Sequence, residues 1–357
     1  MDLFAGAGGF SLAAINQGIK VVAAVEMKPA ASMTYRANIC AKYGVELYES
    51  DITAVKPADV VKTHFSPTRG CDIVLGGPPC QGFSVHRIKG AGVKDPRNEL
   101  ILRYFEFVNS LKSKVFLMEN VPGILWSRHK DFLDEFYAVA KASGYKIYDP
   151  VTVDARDYGV PQRRKRVFIL GVRKDIEIDP EWPPKPTHAL APGAERGAPK
   201  AWVPASTVFA RSASANDPND IHMKHSSALV EVFKSTPKNG GSRKDSNRVL
   251  DCHIEHSGHT DVYGRIDPNV PGPTMTTACV NPSKGRFVHP TEHHGITVRQ
   301  AARFQTFPDW FKFHGGLMAS GEQVGNAVPV KLGEALLAEI KRELVASRRK
   351  QARKKRK

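Results

Sequence analysis

The sequence predicts an α/β protein with a doubly wound, mostly parallel sheet and a smaller, loop-rich domain. Short apolar runs rich in β-branched residues alternate with helical segments over residues 1–172, and this alternation is typical of βαβ units. Glycines and prolines directly follow several of the runs, as they do where parallel strands end and ligands bind. From about residue 171 to 273, prolines, histidines and Ser/Asn turns replace the alternation, which indicates a second domain of loops and short strands.

Composition and turn signals divide the chain of 357 residues into four segments. We predict a main domain over 1–172, a loop-rich domain over 173–285, a return to the main domain over 286–345 and a basic tail over 346–357. Half of the net charge of +16 lies in the last ten residues, which we expect to form a disordered polybasic arm. The charge on the remainder indicates a polyanionic partner.

Several classes of protein are disfavoured by the composition. The chain lacks an apolar run of about 18 residues, so we expect no membrane span, and we expect no signal peptide. Five cysteines without framework spacing fit a reducing compartment. The cluster of Cys252, His253, His256 and His259 matches no standard zinc spacing, so we predict no metal site.

The first strand, over residues 1–4, leads into a glycine-rich turn and a helix over about 10–17. Glycines in such a turn let the backbone approach a ligand closely at the helix N-terminus. The second strand, over residues 21–25, ends at Glu26, where an acid can bind a ribose diol. Because Ser11 stands at the third glycine position of the dinucleotide motif, the turn by itself leaves a nicotinamide dinucleotide and S-adenosylmethionine both open.

Residues 76–84 read GGPPCQGFS and follow a short apolar run that is typical of a buried strand. The two prolines fix φ before Cys80, and Gly82 allows close approach of the backbone after it. A lone cysteine is more often a small buried hydrophobe. Held on a rigid loop at the carboxyl end of a strand, however, Cys80 is placed to act as a nucleophile.

Three further segments bear on the same edge of the sheet. The apolar strand over 115–118 ends at Glu119, which brings a carboxylate able to donate a proton to the edge that carries Cys80. Residues 162–166 read QRRKR and form a basic cluster at the start of a strand, although such a run is more often a solvated surface. The polar, basic stretch 85–95 is a candidate lid over the site.

Helices complete the predicted main domain. The patterns predict helices over 29–43, 98–111 and 131–143, the last of them ended by Gly144. Near the end of the chain, apolar residues recur every four positions and predict a helix with one buried face. These residues are Leu332, Leu336, Ile340 and Leu344.

The blocks described above resemble the motifs of the DNA cytosine-5 methyltransferases, and they occur along the chain in that family's order. The six matching blocks are residues 1–10, 76–84, 119–121, 162–166, 299–308 and 323–329. They span the chain apart from roughly 171–260 and the tail. The resemblance implies an S-adenosylmethionine-dependent methyltransferase fold in which residues 173–285 form a target-recognition domain that reads base edges.

By this resemblance, four residues carry the catalysis. Cys80 is the nucleophile, Glu119 the proton donor, and Arg164 and Arg166 point into the active site. The resemblance also implies a set of residues that bind S-adenosyl-L-methionine. They are Phe4, Gly6, Gly8, Gly9, Phe10, Glu26, Asp51, Ile52, Pro78, Leu100, Asn326 and Val328.

The implied reaction is transfer of a methyl group from S-adenosyl-L-methionine to carbon 5 of cytosine in double-stranded DNA. It would proceed by base flipping and a covalent cysteine adduct, as in restriction–modification systems. The expected partner is therefore double-stranded DNA, with no membrane contact and a monomeric enzyme. We expect a cytoplasmic, nucleoid-associated location in a bacterial or phage context.

Four alternatives differ from this interpretation in identifiable residues. A tRNA cytosine-5 methyltransferase would carry a Cys-Phe-Thr signature in the variable region, and the sequence has none. A non-catalytic DNA-binding relative would have lost Cys80 or Glu119. The function of a nicotinamide oxidoreductase would not explain the presence of Cys80 and Glu119. Methyltransferases that act on cytosine nitrogen 4 place an aromatic residue, instead of a cysteine, after paired prolines.

Overall fold

The computed structural model describes residues 1–66, 70–79, 99–247 and 261–354. These residues form two compact units. Unit 1 consists of Met1–Asp154, Lys165–Lys185 and the chain from Gly333 onward, and unit 2 consists of Ala155–Arg164 and Pro186–Leu332.

Unit 1 is built on a central sheet that, within the described residues, has eight strands. The strands are β1 (Asp2–Leu3), β2 (Ala23–Val25), β3 (Glu46–Tyr48), β4 (Ile73–Gly76), β5 (Val115–Asn120), β6 (Tyr145–Ile147), β7 (Val151–Asp154) and β8 (Lys165–Arg173). Their order is β3-β2-β1-β4-β5-β8-β6, and β7 also pairs with β8. Strands β1 to β5 are parallel, whereas β8 is antiparallel to its neighbours. The predicted doubly wound, mostly parallel sheet is thus confirmed, and its parallel strands all end at one carboxyl edge.

The helices of unit 1 follow the predicted alternation with the strands. They are α1 (Gly9–Asn16), α2 (Pro29–Tyr35), α3 (Ala41–Tyr43), α4 (Pro57–His64), α5 (Glu99–Ser110) and α6 (Lys130–Ala142). A π-helical turn over Arg36–Cys40 joins α2 to α3, so the predicted helix over 29–43 is continuous but not uniform. Gly18 and Gly144 follow helix ends with φ of 66° and 86°, as expected for glycines that end helices.

Aromatic side chains dominate the core between the sheet and helices α5 and α6. Phe116 of β5 lies 5.8 Å from Phe105 of α5, 6.1 Å from Phe136 of α6 and 5.5 Å from Tyr145 of β6, measured between ring centroids. A Cβ atom on Gly171 of β8 would lie 2.0 Å from the Phe116 ring, so this ring requires a glycine on the neighbouring strand. The cluster therefore fixes the antiparallel pairing of β5 with β8.

Unit 2 contains little regular structure among its described residues. Its helices are α7 (Ser206–Phe209), α8 (Ser227–Ser235), α9 (Val298–Phe304) and α10 (Gly316–Asn326), and its strands β9 (His188–Ala189) and β10 (Lys200–Ala201) are two residues long. The described residues of unit 2 are thus mostly loops, and the bounds of the predicted loop-rich domain stay a prediction. Residues 286–332, which we predicted to return to the main domain, cluster with unit 2, because Arg299 and Arg303 bond to loops of that unit.

The last helix, α11 (Val330–Lys354), differs from the expectation of a disordered tail. Residues 348–354 continue the helix, because arginine, lysine, glutamine and alanine all have high helix propensity and the upstream turns supply the nucleus. Cations in the last turn also complement the helix dipole. None of the helices in the described part of the chain combines the length and apolarity that a membrane span needs.

Candidate active site

The glycine-rich turn between β1 and α1 is tied to the end of β2. The Gly6 N–H donates to Glu26 Oε2 at 2.8 Å, and the Lys28 N–H donates to Glu26 Oε1 at 2.8 Å. Gly8 has φ of 97°, and a Cβ atom there would lie 3.0 Å from the Tyr35 ring. Phe4 takes a left-handed φ of 57°, a strained conformation that is most common at functional sites.

A buried polar network, which the sequence pattern did not predict, lies beneath this turn. Ser11 Oγ donates to Asp2 Oδ2 at 2.7 Å and lies 2.6 Å from the Tyr35 hydroxyl. Burial raises the pKa of Asp2 to about 6, although the bond from Ser11 opposes the shift. The motif contained these residues, but nothing in their spacing indicated that they meet.

Phe4, Gly6, Gly8, Gly9, Glu26, Asp51 and Ile52, which are predicted to bind S-adenosyl-L-methionine, follow the carboxyl ends of β1, β2 and β3. A carboxylate has about four acceptor positions, so Glu26 retains acceptors for ribose hydroxyls beyond its two backbone bonds. Asp51 Oδ1 accepts from the Thr53 N–H at 2.8 Å, and Ile52 is buried beside it. The open turn at Gly6 and the Glu26 carboxylate fit the ribose of a nucleoside, and the helix N-terminus at Gly9 fits a carboxylate on the tail of that nucleoside.

Two other predicted cofactor residues are part of the core. Phe10 is buried, with its ring 6.3 Å from Phe168 of β8. Leu100 is half-buried and packs against the hydrophobic cluster that contains Phe105. Both side chains pack within unit 1, and their contact with the cofactor stays a prediction.

Glu119 lies at the carboxyl edge of β5 in an ion pair. Arg166 Nε of β8 lies 3.0 Å from Glu119 Oε1, and side-chain exposures of 16% and 12% show that both groups are largely shielded. Burial lowers the pKa of the Arg166 guanidinium, while Glu119 opposes that shift. A Cβ atom on Gly77 would lie 3.2 Å from Glu119 Oε2, so the glycine after β4 leaves room for the carboxylate.

The residue after Glu119 binds the loop that leads to Cys80. Asn120 Nδ2 donates to the Pro78 carbonyl at 3.4 Å, while its Oδ1 accepts from the Val121 N–H at 2.8 Å. This tether joins β5 to the loop two residues before Cys80. Cys80 itself lies outside the described residues, as do the predicted lid over 85–95 and the Cys252 to His259 cluster.

Arg164 does not join Glu119 and Arg166 in unit 1. It belongs to unit 2, where it is 1% exposed. Its guanidinium donates to the carbonyls of Met275 at 2.9 Å and Gly325 at 2.8 Å, and also to that of Ala327. These bonds fix the guanidinium within unit 2, and its predicted role in the active site stays a prediction.

Asn326 and Val328 also belong to unit 2. Asn326 is the exposed last residue of α10, and Val328 is buried two residues later. Their predicted contact with the cofactor stays a prediction. No group of three or more metal-ligating side chains occurs within residues 1–66, 70–79, 99–247 and 261–354.

Comparison with known proteins identifies the chain's relatives. Residues 1–342 match the family model described as C-5 cytosine-specific DNA methylase. The Type II methyltransferase M.XorII of Xanthomonas oryzae pv. oryzae is 32% identical over 374 residues, which cover 96% of this chain and 84% of the relative. The Type II methyltransferase M1.HphI of Haemophilus parahaemolyticus is also 32% identical, and the match covers 94% of this chain and 84% of that one.

Solved structures agree with this relationship. A prophage-encoded DNA modification methyltransferase of E. coli has a TM-score of 0.72 at 26% identity, covering 96% of this chain and 98% of that one. Dnmt2 methyltransferase of S. pombe has a TM-score of 0.60 at 17% identity, covering 96% and 98% of the two chains. The second likeness shows the fold alone.

Proposed function

The chain belongs to the C-5 cytosine-specific DNA methylase family, and on that premise we propose how its residues divide the reaction. The protein is a DNA (cytosine-5-)-methyltransferase that uses S-adenosyl-L-methionine, and its curated relatives are Type II methyltransferases. One observation supports the assignment of roles most directly. Asn120, the residue after Glu119, donates a hydrogen bond to Pro78 in the loop that leads to Cys80.

Cys80 makes carbon 5 of cytosine reactive. Its thiolate adds to carbon 6 of the ring while Glu119 donates a proton or hydrogen bond to ring nitrogen 3, so electron density moves to carbon 5. Bound S-adenosyl-L-methionine supplies an electrophilic methyl group. Transfer to carbon 5 would break the sulfur–methyl bond and leave the donor as a neutral thioether. Loss of the carbon-5 proton to a base would then restore the ring double bond and expel Cys80.

Arg166 positions Glu119 for this proton transfer. Its guanidinium holds Oε1 from the β8 side, so Oε2, which faces Gly77, is presented toward the site. The pair is shielded from water, which strengthens its electrostatic interaction. Glu26 and the Gly6 turn would hold the nucleoside of the cofactor at the adjoining strand ends.

The target base must leave the double helix before Cys80 can reach it. Flipping the base out costs about a few kcal/mol, and phosphate contacts to basic residues offset that cost. We assign recognition of double-stranded DNA to the loop-rich region around residues 173–285. We expect the enzyme to act as a monomer and to associate with the nucleoid through this DNA binding.

Covalent trapping tests the proposal. A duplex with 5-fluorocytosine at the target position should form a complex that survives denaturation when S-adenosyl-L-methionine is present, because fluorine cannot leave as a cation. Peptide mapping should place the modified base on Cys80. An RNA analogue of the same sequence should form no adduct.

Two variants make the result specific. Cys80→Ser should form no adduct, because a hydroxyl is a much weaker nucleophile than a thiolate. The matched control is Cys71→Ala, which should trap normally. Cys71 lies at the opposite end of β4, where burial raises the pKa of its thiol and Sγ donates to the Ile73 carbonyl at 3.3 Å. An adduct at any cysteine other than Cys80 would refute the assignment, and an adduct with RNA alone would make the substrate RNA.

A further inference from the structure

Helix α11 carries the chain from one edge of the unit 1 sheet to the other. A Cβ atom on Gly333 would lie 2.7 Å from Ala13 in the middle of α1. Two turns later, Lys341 Nζ donates to the Gln17 carbonyl just after α1 ends. Because α1 begins at the glycine turn of the carboxyl edge, α11 runs beside it toward the amino edge of the sheet.

The far end of α11 is anchored at that amino edge. Arg348 lies 2.5 Å from Asp72, the residue before β4, and Lys114, the residue before β5, lies 2.8 Å from the same carboxylate. Lys354 lies 3.5 Å from Glu177, which follows β8. One carboxylate shared by two cations leaves a surplus positive charge at this position.

Every residue from 348 to 354 is exposed, and none of them is acidic. Arg349, Lys350 and Arg353 form no ion pair with any residue in the described part of the chain. Arg349 and Arg353 are four positions apart, as are Lys350 and Lys354, so the side chains project from adjacent rows of one helix. The amino edge thus presents several unneutralised cations on a rigid support.

We propose that residues 348–354 of α11 bind the phosphate backbone of a second segment of duplex DNA while the carboxyl edge holds the target cytosine. We call this surface the basic end of α11. It presents five cations, a single amide at Gln351 and no aromatic side chain, so we expect contacts to phosphates that are independent of sequence. This DNA contact goes beyond the proposed function and rests on it only where the enzyme is trapped on a 5-fluorocytosine duplex.

The distance between the two edges argues for a separate DNA segment. Residues 72 and 77 bound strand β4, so the edges are roughly 16 Å apart at 3.3 Å per residue. From Arg348 to Lys354 the helix covers about 9 Å at this amino edge. Duplex DNA has a persistence length of about 150 bp, so the duplex that engages the carboxyl edge cannot curve within this distance to reach the basic end of α11. A distant part of the same DNA, or another DNA molecule, can reach the basic end of α11.

The experiment first occupies the carboxyl edge with a covalently trapped duplex. The enzyme is trapped on a short 5-fluorocytosine duplex, and a fluorescent duplex of alternating A and T, which offers no cytosine, is then titrated by anisotropy. The loaded enzyme should bind this probe. The triple variant Arg349→Gln, Lys350→Gln and Arg353→Gln should weaken probe binding at least tenfold and reduce the slope of log Kd against log salt by about 3, or 0.9 per lost phosphate contact.

A charge-conserving triple variant is the matched control. Arg349→Lys, Lys350→Arg and Arg353→Lys should bind the probe as the parent does, and both triple variants should methylate a short duplex at the parental rate. Glutamine is a good helix former, so circular dichroism should report the same helix content throughout. Failure of the loaded parent to bind the probe, or equal binding by the neutral variant, overturns the proposal.

Two further arms separate the remaining questions. A long duplex with one 5-fluorocytosine should block the probe if the second segment comes from the same DNA, and leave it bound if only another molecule can reach. If no covalent complex forms, the proposed chemistry is wrong. The same titration on protein without bound DNA then still tests the basic end of α11. Equal probe affinity and equal salt slope for the parent and the neutral variant would exclude this surface as a DNA site.

Discussion

Unit 1 and unit 2 satisfy their buried backbone groups in different ways. In unit 1, the groups of β5 bond to β4 on one side and to β8 on the other. In the described part of unit 2, strands are two residues long, and buried arginines donate to loop carbonyls instead. Arg265, fully buried, donates to the carbonyls of Phe233, Thr236, His289 and Glu292.

The bonding partners of a buried arginine differ between the two units. Arg164 and Arg166 are two residues apart in one motif, but Arg164 donates to three carbonyls inside unit 2 and Arg166 pairs with a carboxylate at the sheet edge. A guanidinium bound to carbonyls is held in place by the fold. A guanidinium bound to a carboxylate beside a ligand edge orients a group that can react. We therefore propose that Arg164 stabilises unit 2, whereas Arg166 positions a carboxylate that can react.

The largest expected effect is at Glu119. Glu119→Gln keeps the shape of the side chain but cannot pass on a proton, so kcat should fall by about 10³-fold with little change in Tm. Glu26→Gln is the matched control at the same edge, and it should raise KM for S-adenosyl-L-methionine more than it lowers kcat. Single-turnover methyl transfer and thermal unfolding measure both. Parental rates in Glu119→Gln would remove this residue from the mechanism.

The two arginines of the motif should separate activity from stability. Arg164→Lys should destabilise the protein by about 3 kcal/mol, since an ammonium cannot reach all three carbonyls and leaves buried acceptors unpaired. Hydrogen exchange should locate the loosening in unit 2. Arg166→Lys keeps a cation near Glu119, so stability should change less. An ammonium lacks the planar guanidinium that positions the carboxylate, so kcat should fall about tenfold or more. If Arg166→Lys were the more destabilising of the two, the contrast between the units would fail.

The last expected effect is on stability alone, concerns Asp2 beneath the glycine turn, and depends on pH. Asp2 has a folded-state pKa of about 6, above its ordinary value of 3.8, so the folded state binds its proton more tightly than the unfolded state. Stability should therefore decline as pH rises from about 4 to about 6 and stay level above, a loss of about 3 kcal/mol. Asp2→Asn removes this cost, so its free energy of unfolding should exceed that of the parent most at pH 8.

Urea unfolding of both proteins between pH 4 and 8 measures the difference. A gap between Asp2→Asn and the parent that stays constant with pH would show that Asp2 does not titrate in this range. Ser11→Ala is a useful companion, because it removes the bond that Ser11 donates to Asp2 and should widen the pH dependence.

The order of strands and helices in unit 1 was predictable from the sequence because each element has a local signal. The apolar run before Gly76, the glycine turn before α1 and the strand that ends at Glu119 all depend on residues adjacent in the chain. The position of Glu26 after β2 likewise follows from strand length. Local patterns therefore determine which residues reach the carboxyl edge of the sheet.

Only the tertiary structure decided how those residues are partnered. Sequence spacing treats Arg164 and Arg166 alike, yet one is bound by carbonyls more than a hundred positions away and the other by a carboxylate across a strand pair. The burial of Asp2 with Ser11 and Tyr35 and the anchoring of Arg348 on Asp72 were likewise invisible to the sequence analysis. Periodicity specifies which face of an element a residue occupies, whereas the identity of its partner depends on how distant elements pack.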